Sequence, residues 1–410
     1  MGSQKMKSTT VYKIMVWVFI LAFFLGGYVL ENLGIQYVSE GGNPLLKIHF
    51  ATYILIFSIT LLTLKTGLRK PLANLEGFQS SWLISMSCIV LVIMYGLVRF
   101  GTSGMAYLVD TMVAPLLAIY LLSQLNTQQK NKLLRLLAYL LFINAVFAIV
   151  EFMLGKTMVT VEFSGFSHFR STAFLMHPLN NALITCSLAL ILMRYTRIPF
   201  LVYFAVITLA LFAFGGRAAT GLFIVGVLII FIPQIPLFIA KGIKVSRLRF
   251  AIIQALAFFV FIITTLIVAL TPIGARILSK LHVDPSAQAR FDVFIILEQL
   301  SLSEWFFGAT KSLIDNIAFY IQIDVIENYI IGWIVSFGVI CAFLLFISCF
   351  KLPIKLCMRG YSLTSRMTLM VFILVSLTNN ALTSKTPALL FLTSVLYLFY
   401  TTREKENDSL

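Results

Sequence analysis

Apolar stretches of membrane-crossing length follow one another along almost all of this 410-residue chain. A soluble domain carries about 25% charged residues. This chain carries 11%, with 60% hydrophobic residues and a mean hydropathy of +0.97. A bilayer core of ~30 Å asks for about 20 apolar residues per helix, because lipid leaves no backbone polar group a partner outside the segment. Hydropathy divides the chain into twelve spans: 14–30, 48–64, 82–98, 105–122, 133–154, 173–193, 198–214, 218–232, 250–270, 329–350, 367–382 and 386–400. The last two are short. Merged into one helix they would rise about 50 Å at 1.5 Å per residue, so two spans or a re-entrant pair are expected. The expected fold class is all-α and polytopic, one integral membrane domain over residues 1–410 with a large loop at 271–328. The first span follows Lys5, Lys7 and Lys13 without an Ala-x-Ala-like cleavage site and reads as a retained helix.

Charge sets the expected orientation. The formal net charge is +15, from 31 basic and 16 acidic residues. With the N-terminus in the cytoplasm, the inner connections collect most of the basic residues, among them Lys65, Arg69, Lys132, Arg135, Lys351, Lys355, Arg359 and Arg366. The outer connections hold most of the acids. This is the positive-inside pattern, so the basic balance reports topology and no nucleic-acid partner is expected. The five cysteines show neither a disulfide framework nor metal-ligand spacing, and no Asp-x-Asp pair occurs. No metal or other cofactor is expected.

Polar residues that interrupt the apolar runs all fall on the expected outer side. In Arg170–Asn181, Pro178 starts or kinks the sixth helix, placing His177 at its first turn with Asn180 and Asn181 on the same face. That turn either binds an anion with its exposed N–H groups or satisfies its own polar groups. In Gly215-Gly216-Arg217 the glycines permit close backbone approach, and the arginine either clamps a phosphate or snorkels to the interface. Arg290, in the long loop, is a second clamp or part of a solvated helix face. Around it, Asp284-Pro285-Ser286 starts an expected amphipathic helix whose apolar face is Phe291, Phe294, Ile295 and Leu297. Glu327-Asn328 stands at the mouth of the tenth span, as a general base or a helix-start charge. Lys385 lies in a polar turn with Thr378, Asn379 and Asn380. Asp110 and Glu151 either line a cavity or pair with an arginine.

The order Arg170…His177-Pro178-Leu179-Asn180, then Gly215-Gly216-Arg217-Ala218, a long outer loop with Arg290, and Asn328-Tyr329-Ile330 followed by Gly338 resembles the O-antigen polymerase and ligase superfamily of bacterial envelope glycosyltransferases. The resemblance implies a glycosyltransferase-C-like helical architecture in the inner membrane with a periplasmic active site. Its substrate would be an undecaprenyl-pyrophosphate-linked oligosaccharide, and a chain-length regulator is a possible partner. By position, Arg217 and Arg290 correspond to the family's pyrophosphate-binding arginines. Glu327 stands where the ligases show a histidine before asparagine, and Gly-Gly-Arg replaces the commoner Ser-Arg-Gly. Both departures favour a polymerase of O-antigen or exopolysaccharide over a ligase. On this reading Glu327, His177, Arg290 and Arg217 are the expected catalytic residues, and Arg170, Asn180, Asn181, Asn328 and Lys385 contact substrate. A lipid-linked oligosaccharide flippase is the alternative from another class.

Overall fold

The computed structural model describes residues 8–39, 41–102, 104–158, 169–175, 177–234, 246–270, 293–314 and 326–407, with isolated positions at 236, 242 and 316. Among these residues the chain is helical and forms no strand. Each apolar segment is met by a helix: α1 (Ser8–Phe24), α2 (Phe50–Thr66), α3 (Gln79–Phe100), α4 (Ala106–Leu122), α5 (Thr127–Leu154) and α6 (Pro178–Leu192). They continue as α7 (Phe200–Phe214), α8 (Arg217–Phe231), α9 (Arg247–Leu270), α10 (Tyr329–Arg359), α11 (Leu363–Ser376) and α12 (Ala388–Asn407). Among the described residues four are long and apolar enough to cross a bilayer: α3, α5, α10, and α8 together with its 3-10 extension to Gln234. Shorter apolar helices accompany them, and the chain is a helical membrane protein.

The centre is α6, every residue of which is buried. A helix apolar all round belongs in an interior, and α6 packs against α11, α8, α12, α7 and α5. Helix α12 is the second inner helix, buried at every position from Ala388 to Tyr400, and lies against α4, α5 and α6. Outward faces are apolar instead of polar. On α3 these include Leu91, Met94 and Val98, as expected where lipid replaces water.

Several boundaries depart from the hydropathy segments, three of them with a visible local cause or consequence. The first helix ends at Phe24 rather than running to 30. Gly26 is extended, and a Cβ on Gly27 would meet Val38 Cγ2 at 2.6 Å, so this glycine pair lets the chain turn tightly under the connector. Helix α10 runs on to Arg359, through Pro353, but is broken at Gly338 (φ 81°, ψ 166°). The fifth helix starts earlier than expected, at Thr127, where Asn126 and Gln129 form a reciprocal capping box. The last two apolar segments are separate helices joined by residues 377–387.

The break in α10 receives part of the long loop. A Cβ at Gly338 would lie 2.1 Å from the Phe306 carbonyl oxygen. With the helix interrupted, the Val335 carbonyl accepts from Ala309 N at 2.7 Å. Arg99, near the end of α3, donates to the carbonyls of Gly308 (2.8 Å) and Ala309 (2.6 Å). Under this strap Val293, Ile296 and Leu300 pack on Ile331 and Val335 in a small second core. This corrects the expected amphipathic face in part: Leu297 packs on this core as expected, but Ile296 is fully buried, whereas Phe294 is 53% exposed. The described helix there is one turn, Ile295–Glu298, and its partner is α10, which presents a complementary apolar pair. Residues 284–292, including Arg290, lie outside the described residues.

Candidate functional site

The connector 169–177 and the first turn of α6 are built as a unit. Pro178 opens the helix, where its missing N–H costs nothing. His177 is the cap, and its Nδ1 accepts from Asn180 N at 3.4 Å. Because Nδ1 accepts, the neutral ring carries its proton on Nε2. Burial, reinforced by the positive charge of Arg170, pulls the imidazole down from 6.5 to about 4. At neutral pH His177 is therefore uncharged, with its Nδ1 engaged at the helix start.

Beneath His177 the connector is fastened by groups from α5. Glu151, 1% exposed, accepts from Thr172 N (3.0 Å) and Ala173 N (2.9 Å) through Oε2, and from Met158 N (2.9 Å) through Oε1. Asn144 Oδ1 accepts from Phe174 N at 3.0 Å. Asn144 Nδ2 donates to Asn181 Oδ1 at 2.8 Å, and Asn181 Nδ2 donates to the carbonyls of Thr172 and His177. Asn181 is thus a buried framework residue. Glu151 pairs with backbone N–H groups, not with an arginine. Asn180 differs: it is buried, and its Oδ1 meets no donor among the described residues. An acceptor left open at a helix start suits a ligand hydroxyl.

The Gly-Gly-Arg turn joins this unit. Gly215 caps α7 in the left-handed conformation (φ 76°). A Cβ on Gly216 would meet Ala182 Cβ at 2.6 Å, so only glycine lets the turn lie on the first turns of α6. Ser171 N donates to the Ala213 carbonyl at 3.1 Å, closing the same contact. Arg217 is the first residue of α8 and is exposed. Arg170, His177, Asn180 and Arg217 therefore gather at one end of the bundle.

A second polar knot lies at the same end. Asp110 sits in a π-helical turn, Val109–Val113, that interrupts α4. Its carboxylate accepts from Tyr37 Oη (2.7 Å), Thr52 Oγ1 (2.7 Å) and His49 N (3.0 Å). Lys385 donates to the Tyr37 carbonyl and rests over the Tyr37 ring, 4.3 Å from its centroid. Burial lowers the Lys385 ammonium to about 8, against the opposing pull of Asp110. A cavity of about 50 Å³ is lined by Tyr37, His49, Asp110 and Lys385. Phe174, in the His177 connector, stacks edge-on against Phe24 at the end of α1 (4.8 Å between centroids), which links the two knots.

Glu327 and Asn328 precede α10. Asn328 Oδ1 accepts from Ile330 N (3.0 Å) and Ile331 N (3.2 Å), so this side chain is a helix cap. Trp333 Nε1 donates to the Leu382 carbonyl at 3.2 Å, and a Cβ on Gly332 would meet Thr383 at 2.9 Å. The start of α10 therefore adjoins the 377–387 connector that carries Lys385. Glu327 is half-buried there. Tyr37, His49 and Asn144 were not singled out by the sequence reading. The signal for Asn144 is a lone carboxamide within the apolar run 133–154; Tyr37 lies between two spans and His49 at the edge of one, with no pattern that marks either. Comparison with family models and with curated proteins finds no match for this chain.

Proposed function

We propose that this protein is a polymerase of bacterial surface polysaccharide, working on undecaprenyl-pyrophosphate-linked glycan at the periplasmic face of the inner membrane. The observation that carries the reading is the gathering of Arg170, Arg217, the neutral His177 and the open Asn180 oxygen around the first turn of α6. A helix N-terminus flanked by guanidinium groups at the edge of an apolar bundle suits a pyrophosphate whose lipid tail stays in the bilayer.

In this mechanism a hydroxyl of the incoming lipid-linked unit attacks the anomeric carbon of the growing chain. The bond from that carbon to the pyrophosphate oxygen breaks, and the lipid pyrophosphate leaves with the bonding electron pair. Arg217, with Arg290, stabilises the charge that grows on it. Glu327 takes the hydroxyl proton. Asn180 Oδ1 accepts from a sugar hydroxyl, and His177 Nε2 donates to a sugar or phosphate oxygen. Asn181, Asn328 and Lys385 act by holding these groups in place. A chain-length regulator would set when the cycle stops.

Deletion of the gene in its host, with gel analysis of surface glycolipids, tests the reading. A ladder that collapses to lipid A-core bearing one repeat unit supports it. Polymer stranded on undecaprenyl pyrophosphate identifies a ligase, and repeat units trapped on the cytoplasmic face identify a flippase. An unchanged ladder directs the same assay to capsule or exopolysaccharide. Arg217→Ala with full polymer yield would refute the clamp, and fully active Glu327→Gln would refute the base.

A further inference from the structure

The opposite end of the bundle holds a basic groove with no part in this chemistry. It has a volume of about 880 Å³ and lies between the second half of α10 and the neighbouring ends of α3 and α11. Its wall is apolar, with Phe346, Ile347, Ile354 and Met358, and its rim carries Lys351, Lys355, Arg359 and Arg366. Three of the four charged groups rest on rings: Arg359 lies 5.4 Å and Lys355 5.9 Å from the Phe78 centroid, and Arg366 lies 5.8 Å from that of Tyr361. Gly77 makes room for Arg359, since a Cβ there would overlap its guanidinium. Two cations thus converge on one phenyl ring, an arrangement that like-charge repulsion disfavours and a bound anion relieves. Tyr361, in the left-handed conformation (φ 44°) and 83% exposed, stands at the rim as interfacial aromatics do.

We infer that this groove binds an anionic phospholipid of the bilayer. The phosphodiester sits among Lys355, Arg359 and Arg366, and an acyl chain runs along Phe346, Ile347 and Ile354. Apolar wall and cationic rim occur in the order that a lipid presents tail and headgroup. Basic pockets between membrane helices bind acidic headgroups in this way. The inference is independent of the polymerase reading.

The test uses the full chain in nanodiscs of phosphatidylcholine with and without phosphatidylglycerol, and native mass spectrometry of the lipid retained on extraction. The wild type is expected to retain phosphatidylglycerol in preference to phosphatidylcholine. Each basic residue near the headgroups contributes a preference of roughly fivefold. The variant K351Q/K355Q/R359Q/R366Q should therefore lose at least about tenfold of the enrichment. The control K65Q/R69Q/K132Q/R135Q removes as much charge from exposed positions at the same end and should keep it. Ile347→Trp fills the groove with its charge intact and should release the lipid, which covers the case that the quadruple variant fails to fold. Equal losses in the quadruple variant and its control, a wild type without preference, or an Ile347→Trp protein that retains lipid would each overturn the inference.

Discussion

Asn144 of α5 and Asn181 of α6 face each other inside the bundle, both fully buried, with the Asn144 amide donating to the Asn181 oxygen at 2.8 Å. Each also serves the backbone of the connector, through Phe174 N and the Thr172 and His177 carbonyls. Removing either carboxamide orphans the other. Asn144→Leu and Asn181→Leu are each expected to cost about 1–3 kcal/mol. Their double variant should cost less than the sum, and a thermal-melting double-mutant cycle in detergent measures the coupling. Strict additivity would show that the two amides act separately.

Glu151 receives three backbone N–H groups and donates none. Glutamine in its place turns an NH₂ toward donors. Glu151→Gln is expected to lower stability by about 1–3 kcal/mol and to reduce polymer only in proportion to the folded protein remaining. A variant that melts like the wild type yet makes no polymer would instead place Glu151 in the chemistry.

His177 gives a signed pH dependence. The folded ring titrates at about 4 and the unfolded one at 6.5, so the unfolded chain binds more protons between these values. Stability then falls as pH drops from 6.5 toward 4, and His177 contributes no slope above 6.5. His177→Gln should flatten this acid limb in a series of melting temperatures against pH. Arg170→Gln should shorten the limb from its acid end, because removing the nearby positive charge raises the folded value toward the unchanged unfolded one. An acid limb unchanged in both variants would contradict the assignment.

Two glycines in helices should respond in opposite directions to alanine. Gly338→Ala meets the Phe306 carbonyl at 2.1 Å in a left-handed conformation that alone costs about 1–2 kcal/mol, so a drop in melting temperature is expected. Gly221, in α8, has open space around its missing Cβ. Gly221→Ala should stabilise by up to about 1 kcal/mol through helix propensity. If both substitutions proved neutral by thermal melting, the break in α10 would not be a fixed feature.

Much of this architecture was readable from the chain because lipid makes the rules severe. Runs of apolar residues must be helices, Pro178 must open or bend one, and Gly215-Gly216 must make a tight turn; all three are seen. What could not be read is the identity of polar partners. Glu151 and Asp110 stand out in apolar helices, but their ligands are largely backbone N–H groups and a tyrosine from connectors without a distinguishing pattern. The expected apolar face of Phe294, Ile295 and Leu297 is met only at Leu297 for a related reason: which residues turn inward depends on Ile331 and Val335, more than thirty positions away. Asn328, expected to contact substrate, caps α10 through its Oδ1, a second purpose that the same carboxamide serves and that the sequence does not distinguish.

The break at Gly338 gives α10 two allegiances. A continuous helix would pair the Val335 carbonyl with its own next turn; here that bond goes to Ala309, while Arg99 grips the carbonyls on either side of the same peptide. The short rod that begins at Tyr329 is therefore riveted to the strap at 302–309. Its direction is set in part by hydrogen bonds to the backbone carbonyls of Val335, Gly308 and Ala309, which substitutions among its own side chains leave in place.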